Sequence, residues 1–174
     1  MSTLKVSTIS PLGTDATKTI TIGSASNGDV AAGVFTNVPA FWVALSSNQS
    51  ISNDTSTKIQ FDTVTLDTNS DWDSTNYRFT PSIAGYYFIY GKWRISTSTD
   101  AQQIKCELKK NGTEFSTGSS QNDASNTAQA SGMVHLNGSS DYIEMFVYHT
   151  VGSSQNAAGQ TQYTLFQGYK LIGA

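Results

Sequence analysis

Two histidines, one cysteine and one run of alternating oxygen-bearing side chains carry the most reactive chemistry in this 174-residue chain. His135 and His149 stand in no spacing with cysteine or carboxylate that would close a metal site. His149 ends an alternating apolar segment and His135 falls on the polar phase of another, so both read as ordinary surface or interface histidines. Cys106 has no second cysteine to pair with. Its inward strand phase makes it a small buried hydrophobe rather than a nucleophile. The run Asp67-Thr68-Asn69-Ser70-Asp71-Trp72-Asp73 sets oxygens at alternate positions, as a calcium loop does. Trp72 stands where such a loop needs glycine, however, and Arg78 where it needs a bidentate glutamate, so an Asx-rich turn is expected, with calcium as the alternative. There is no Gly-x-Ser-x-Gly elbow and no glycine cluster that would cradle phosphate. The few acids gather in turns instead of forming the paired carboxylates of a glycosidase. The expectation is therefore a protein that is not an enzyme, with no catalytic residue, no cofactor site and no metal site.

The aromatics form the other chemically able set. Trp42, Trp72, Trp93 and the tyrosines could stack on sugars, but most follow strand alternation, which favours a core or a subunit interface. Ser, Thr, Asn and Gln make up 67 of the residues, while charged side chains make up 13%. The surface is thus hydrated largely without charge. Net charge is −3 with a pI near 5.1. No Lys or Arg occurs between Asn111 and Tyr169, so the dense basic face that nucleic-acid binding requires is missing. The opening MSTLKVSTISP has no apolar core of a signal peptide, and no stretch approaches the ~18 apolar residues of a membrane span. Synthesis in the cytoplasm without membrane insertion is expected. Four Asn-x-Ser/Thr triplets, at Asn48, Asn53, Asn111 and Asn137, are what chance supplies in so polar a chain.

The elements that must position these residues are strands. From Val38 onward aromatic and β-branched residues alternate with polar ones, punctuated by turn signals. Strands are predicted near Ala40–Leu45, Lys58–Leu66, Tyr77–Pro81, Gly85–Thr97, Gln102–Lys110, Thr113–Ser116, Thr127–Asn137, Asp141–Thr150 and Gln162–Ile172. Asn111-Gly112 suits the positive φ angles of a type I′ hairpin turn. Long loops are expected at Thr117–Asn126 and Val151–Thr161. In Gln102–Lys110, Ile104, Cys106 and Leu108 face in, while Gln103, Lys105, Glu107 and Lys109 face water. In Gly85–Ile95, by contrast, Tyr87, Ile89 and Trp93 oppose Tyr86, Phe88 and Tyr90. In Asp141–His149, Tyr142, Phe146 and Tyr148 oppose Ile143, Met145 and Val147. A monomeric sandwich cannot bury both faces, so these strands predict an oligomer. Phe41, Tyr86, Tyr87, Phe88, Ile89, Tyr90, Trp93, Phe146, Tyr148, Phe166 and Tyr169 are expected in the core or at a subunit interface, which the alternation alone does not resolve.

One spacing is specific. Phe61, five residues, Asp67, four, Trp72, six, Phe79, five, Gly85, one and Tyr87 resembles the aromatic signature of complement C1q globular-head domains. Pro39-Ala40-Phe41, Leu108-Lys109-Lys110-Asn111-Gly112, Ser131 to Leu136 and Phe166 to Ile172 resemble further parts of that domain, so the resemblance covers about residues 39–174. The signature's next places hold Ile89 and Gly91 instead of aromatics, with Trp93 following on the same face. The collagen stalk usual in the family is missing, since no Gly-X-Y period occurs. The resemblance implies an all-β, ten-strand jelly-roll sandwich, similar to tumour necrosis factor, assembling as a homotrimer.

Residues 1–36 differ from the rest: Phe35 is their one aromatic, and Leu4-Lys5-Val6 and Ile20-Thr21-Ile22 are brief alternating runs. Such a stretch cannot form its own core. It is expected to be an extended arm that docks or forms a stalk, or a partly disordered tail, with residues 37–174 as the head. Met1 to Ile9 and Thr19 to Gly23 resemble the start of many marine bacteriophage structural proteins. Together the two resemblances imply a virion protein: a trimeric knob of a phage fibre, tail or capsid appendage. Its arm would meet other virion proteins and its loops a host-surface glycan or protein. A capsid decoration protein and a glycan-binding or glycan-degrading tip are the alternatives.

Overall fold

The computed structural model describes residues 38–96, 103–121 and 126–171, and the expected arm lies outside them. Every element among the described residues is a strand. In chain order these are β1 (Ala40–Ala44), β2 (Gln49–Ile51), β3 (Thr57–Lys58), β4 (Thr63–Asp67), β5 (Trp72–Asp73), β6 (Arg78–Phe79) and β7 (Gly85–Arg94). They continue as β8 (Gln103–Lys110), β9 (Thr113–Gln121), β10 (Thr127–Leu136), β11 (Ile143–His149), β12 (Gln155–Ala157) and β13 (Leu165–Lys170). One sheet runs β10-β7-β13-β1-β4. The other runs β5-β6-β11-β8-β9, with β3 also on β11, and β12 pairs β2. All pairings are antiparallel, and the crossing between sheets gives a jelly-roll sandwich.

Among the described residues the jelly roll is divided into thirteen strands where ten were implied, because short pieces count separately. The predicted segment Lys58–Leu66 is broken at 59–62, where Ile59 and Phe61 turn into the core and leave the ladder. The predicted strand Tyr77–Pro81 contracts to Arg78–Phe79. The expected loop at Thr117–Asn126 is instead strand as far as Gln121, because Ser116 to Gln121 continue in register along β8. β12 lies within the expected loop Val151–Thr161, closed onto β2. At the hairpin the sequence signal holds: Asn111 has φ 50° and Gly112 φ 79°, the two positive angles of a type I′ turn.

Alternation builds the core between the sheets. From β7 point Tyr87, Ile89 and Trp93, and from β8 Ile104, Cys106 and Leu108. From β11 point Ile143, Met145 and Val147, all buried. At one end an aromatic cluster closes the sandwich: Phe41 stacks on Phe79 at 4.2 Å and meets Phe166 edge-on at 4.9 Å, and Phe61 and Trp72 pack on Phe166. The six signature residues take their places here. Phe61, Trp72, Phe79 and Tyr87 are core side chains, the Tyr87 hydroxyl donating to the Ile83 carbonyl at 2.6 Å. Gly85 holds φ 146°, a region that L side chains rarely adopt. Asp67 accepts the backbone N–H groups of Asp71 and Trp72, both at 3.0 Å, and so turns the chain into β5.

The departure at Gly91 also has a physical reason. A Cβ there would lie 2.8 Å from Met145 Sδ, 3.0 Å from Leu108 Cδ2 and 3.2 Å from Cys106 Sγ. Side chains of the facing sheet fill the volume an aromatic would take. The bulk moves along β7 to Trp93, which is fully buried with its indole N–H donating to the Lys105 carbonyl at 2.8 Å.

His149 corrects the sequence reading. It is fully buried, with Nε2 3.1 Å from the Ile51 carbonyl, so it is a core residue bridging β11 to β2. Its inward phase beside Val147 and Met145 explains this. His135 is exposed and meets the Tyr86 ring edge-on at 5.2 Å.

Candidate functional site

The outer faces of the two sheets are built from similar aromatics, yet they differ in what covers them. On β11 and just before it the outward aromatics are Tyr142, Phe146 and Tyr148, with Glu144 in the same row. Arg78 lies 4.5 Å over the Tyr142 ring, Lys109 4.0 Å and Lys58 5.7 Å over Phe146, and Lys105 5.0 Å over Tyr148. Three of these cations are also tied to acids: Lys58 to Glu144, Lys109 to Glu107 at 3.1 Å and Arg78 to Asp73 at 3.2 Å. Glu107, outward in phase, is buried among Lys109 and the Ser56 hydroxyl. The Tyr148 hydroxyl donates to Asp54, which raises its pKa. This corrects the expectation that Tyr142, Phe146 and Tyr148 need another subunit to hide them. Lysine and arginine heads lie over these rings within the chain, so each ring has a cover other than a second subunit.

Among the described residues the five-stranded sheet carries no such cladding. Its register places Leu66, Trp42, Gln167, Tyr90 and Ser131 in one cross-strand row. The next row holds Ala40, Tyr169, Phe88 and Met133. Tyr86 pairs with His135 beyond it. Met133 is 68% exposed, Tyr169 50%, Tyr86 49% and Leu66 45%. Phe88 and Tyr169 touch each other, ring centroids 5.7 Å apart, without covering the face. A shallow depression of about 210 Å³ opens between Trp42, Leu66, Phe88 and Tyr169. Tyr90 is partly covered: its hydroxyl donates to Gln129 Oε1 at 2.9 Å, and burial raises its pKa. A contiguous apolar patch this size, free of ion pairs, has the make-up of an interface core.

The expected interface-or-core residues therefore separate three ways. Phe41, Tyr87, Ile89, Trp93 and Phe166 are core. Tyr86, Phe88, Tyr90 and Tyr169 form the uncovered face. Phe146 and Tyr148 lie on the charged outer face of the other sheet. Sequence reasoning missed Met133 and Leu66 as members of the uncovered face, while Trp42, named among the aromatics expected in a core or at a subunit interface, lies on it. Their outward phase opposite Phe88 and Gln167 becomes readable once the strand order is known.

The groups with reactive chemistry are engaged structurally. Burial pushes the Cys106 thiol up to about 12. In the 67–73 turn, Asp67 caps backbone amides, Asp71 Oδ1 accepts the Ser82 N–H at 3.1 Å, and Asp73 accepts from Thr75, Asn76 and Arg78. Among the described residues no three His, Cys, Asp or Glu side chains gather as a metal site.

Two antiparallel sheets in jelly-roll order define the class of fold, which solved tumour-necrosis-factor-type structures share. The crystal structure of murine APRIL at pH 8.0 superposes with a TM-score of 0.61 at 13% identity, over 78% of this chain and all of that one. The Eiger TNF of S. frugiperda gives a TM-score of 0.59 at 13% identity, over 79% and 94% of the two chains. Among curated proteins none matches in sequence. The family model for the C1q domain matches residues 40–171, and the chain belongs to that family.

Proposed function

We propose that this chain is a non-enzymatic homotrimeric virion protein, the knob of a bacteriophage fibre, tail or capsid appendage that contributes to host-surface attachment. The observation that carries the trimer is the bare apolar face of β10-β7-β13-β1-β4 beside a sheet whose aromatics are clad in cations. Three copies packing these faces around an axis remove the patch from water and leave the charged sheets outside. The non-enzymatic reading is supported by carboxylates committed to turns and ion pairs, by a thiol held protonated, and by a histidine locked in the core. The virion placement rests on the leader's resemblance to phage structural proteins. Trimeric display multiplies weak contacts through effective concentration, which suits attachment.

The test is a phage lacking this protein, imaged by electron microscopy and assayed for adsorption. Loss of a surface projection together with slowed adsorption supports the attachment role. Intact adsorption with fragile capsids would overturn attachment in favour of shell decoration. The presence of the protein in no particle would overturn the virion reading altogether.

A further inference from the structure

A second concavity, of about 290 Å³, lies at the end of the sandwich away from where the described chain enters and leaves. The entry at Pro39 and the exit at Leu171 are tied to β13 and to Tyr86. β7 then runs from Tyr86 to Arg94, about 27 Å at strand rise, and delivers Arg94 to the far end. There the walls are Asn48 from the β1–β2 turn, Arg94 and Ser96 from the end of β7, and Gly159, Gln160 and Tyr163 ahead of β13. Backbone bonds lock these segments together: Ala158 N–H to the Arg94 carbonyl, Ser96 N–H to the Asn156 carbonyl, both 2.8 Å.

The polar groups in this cavity are unbalanced in one direction. The Arg94 guanidinium stacks on the Tyr163 ring at 4.5 Å and has no carboxylate partner among the described residues. The acceptor oxygens of the two amides are already used inside the chain, Asn48 Oδ1 by the Gly159 N–H at 2.8 Å and Gln160 Oε1 by Gln162 at 2.9 Å. What the cavity offers a ligand is weighted to donors: the guanidinium edges and the two amide NH₂ groups, beside the Ser96 and Tyr163 hydroxyls, which can give or take a hydrogen bond. A donor-rich cavity around a pre-stacked arginine matches an acceptor-rich anion, and a planar carboxylate fits the fork best. The volume is small for a ligand pocket and suits one pyranose ring, whose hydroxyls the amides and Ser96 can bond. The apolar rows of the same sheet stop short of it, since the next rung is Lys92, Gln129 and Leu165.

We infer that this cavity binds the carboxylate of a uronic-acid residue in an acidic polysaccharide, with Arg94 as the anchoring group and Tyr163, Asn48 and Gln160 as its positioning partners. This deepens the attachment reading and rests on it for biological meaning, though not for the binding itself.

The test uses the full-length chain with tetragalacturonate, its methyl ester, and a tetraglutamate peptide as probes, followed by calorimetry and by amide shifts in two-dimensional NMR. Tetragalacturonate is expected to shift the amides of Asn48, Ser96, Gly159, Gln160 and Tyr163. The methyl ester, neutral but otherwise the same sugar, is expected to bind at least tenfold more weakly. Arg94→Met should weaken binding at least tenfold, and Arg94→Lys should recover only part of it, because an ammonium cannot make the paired contact. Light scattering on each variant reports the trimer separately, so loss of assembly and loss of sugar binding are distinguishable. Equal binding of ester and acid, shifts elsewhere, unchanged affinity in Arg94→Met, or preference for the peptide would each overturn the inference, as would no binding by an intact trimer.

Discussion

Replacing Tyr169 by alanine removes apolar surface from the bare face while leaving the sandwich core untouched. A tyrosine side chain offers about 200 Å², and Tyr169 is half exposed in the single chain. About 100 Å² therefore remains for a neighbouring copy to cover, and at about 25 cal/mol per Å² this stabilises the assembly by about 2.5 kcal/mol per subunit. Three subunits lose about 7 kcal/mol together, about five powers of ten in the trimer association constant. That constant carries two powers of concentration, so the midpoint of dissociation rises by its square root, roughly several-hundred-fold. Mass photometry or sedimentation over a dilution series reads this midpoint, with far-UV circular dichroism as the check that the subunit stays folded. Tyr148→Ala, made on the clad sheet, should leave the midpoint where it is. A folded Tyr169→Ala protein whose midpoint is unmoved, or a Tyr148→Ala protein whose midpoint shifts as far, would refute the assignment of the interface to this face.

Gly91→Ala should lower stability by about 1–3 kcal/mol through overpacking against Met145, Leu108 and Cys106. The double variant with Met145→Ala should lose less than the sum of the two singles in chemical denaturation; simple additivity would contradict the packing account. With its pKa pushed up to about 12, Cys106 should have about one thiolate in 10⁴ at pH 8. Alkylation by iodoacetamide should follow unfolding, and rapid labelling of native protein would show the side chain to be accessible. Asp141 is held below the usual carboxylate range by its hydrogen bond with Lys110, then by Asn111. Asp73 is held below it by Asn76. A carboxylate with a depressed folded pKa contributes stability that is fully present above its unfolded pKa and is lost as pH falls through the folded value. Melting temperature should therefore drop below about pH 4, and Asp141→Asn should flatten that drop; a pH-independent melt would contradict it.

The fold was legible wherever a local rule decided the geometry. Asn111-Gly112 accepts two positive φ angles, and the alternation of Gln103 to Lys109 separates an inner from an outer row. The Phe61-to-Tyr87 spacing encodes side chains that meet in one aromatic cluster. What the sequence concealed depends on partners distant along the chain. The outward rows at β7 and β11 are both aromatic, Tyr86, Phe88 and Tyr90 on one and Tyr142, Phe146 and Tyr148, with Glu144 between, on the other. Lys58, Lys105, Lys109 and Arg78 come over the β11 row only once β3, β8 and β6 are placed beside it. His149 shares the inward phase of Val147 and Met145, so its burial was legible; what the sequence concealed was its partner, the Ile51 carbonyl on β2, a three-residue strand too short to predict. The Arg94 cavity joins residues up to 115 positions apart, from Asn48 to Tyr163, and no spacing announces it.

Met133 reports most directly on whether other copies cover the bare face, because it is 68% exposed in the single chain while Met145 is buried. Hydroxyl-radical footprinting of the full-length protein at micromolar concentration compares the two sulfurs in one sample. If three subunits pack through β10-β7-β13-β1-β4, Met133 oxidises nearly as slowly as Met145 and becomes fast when Tyr169→Ala is diluted to monomers. Rapid oxidation of Met133 in the undiluted wild-type protein, alongside a mass of one 18.7 kDa chain, would contradict the account.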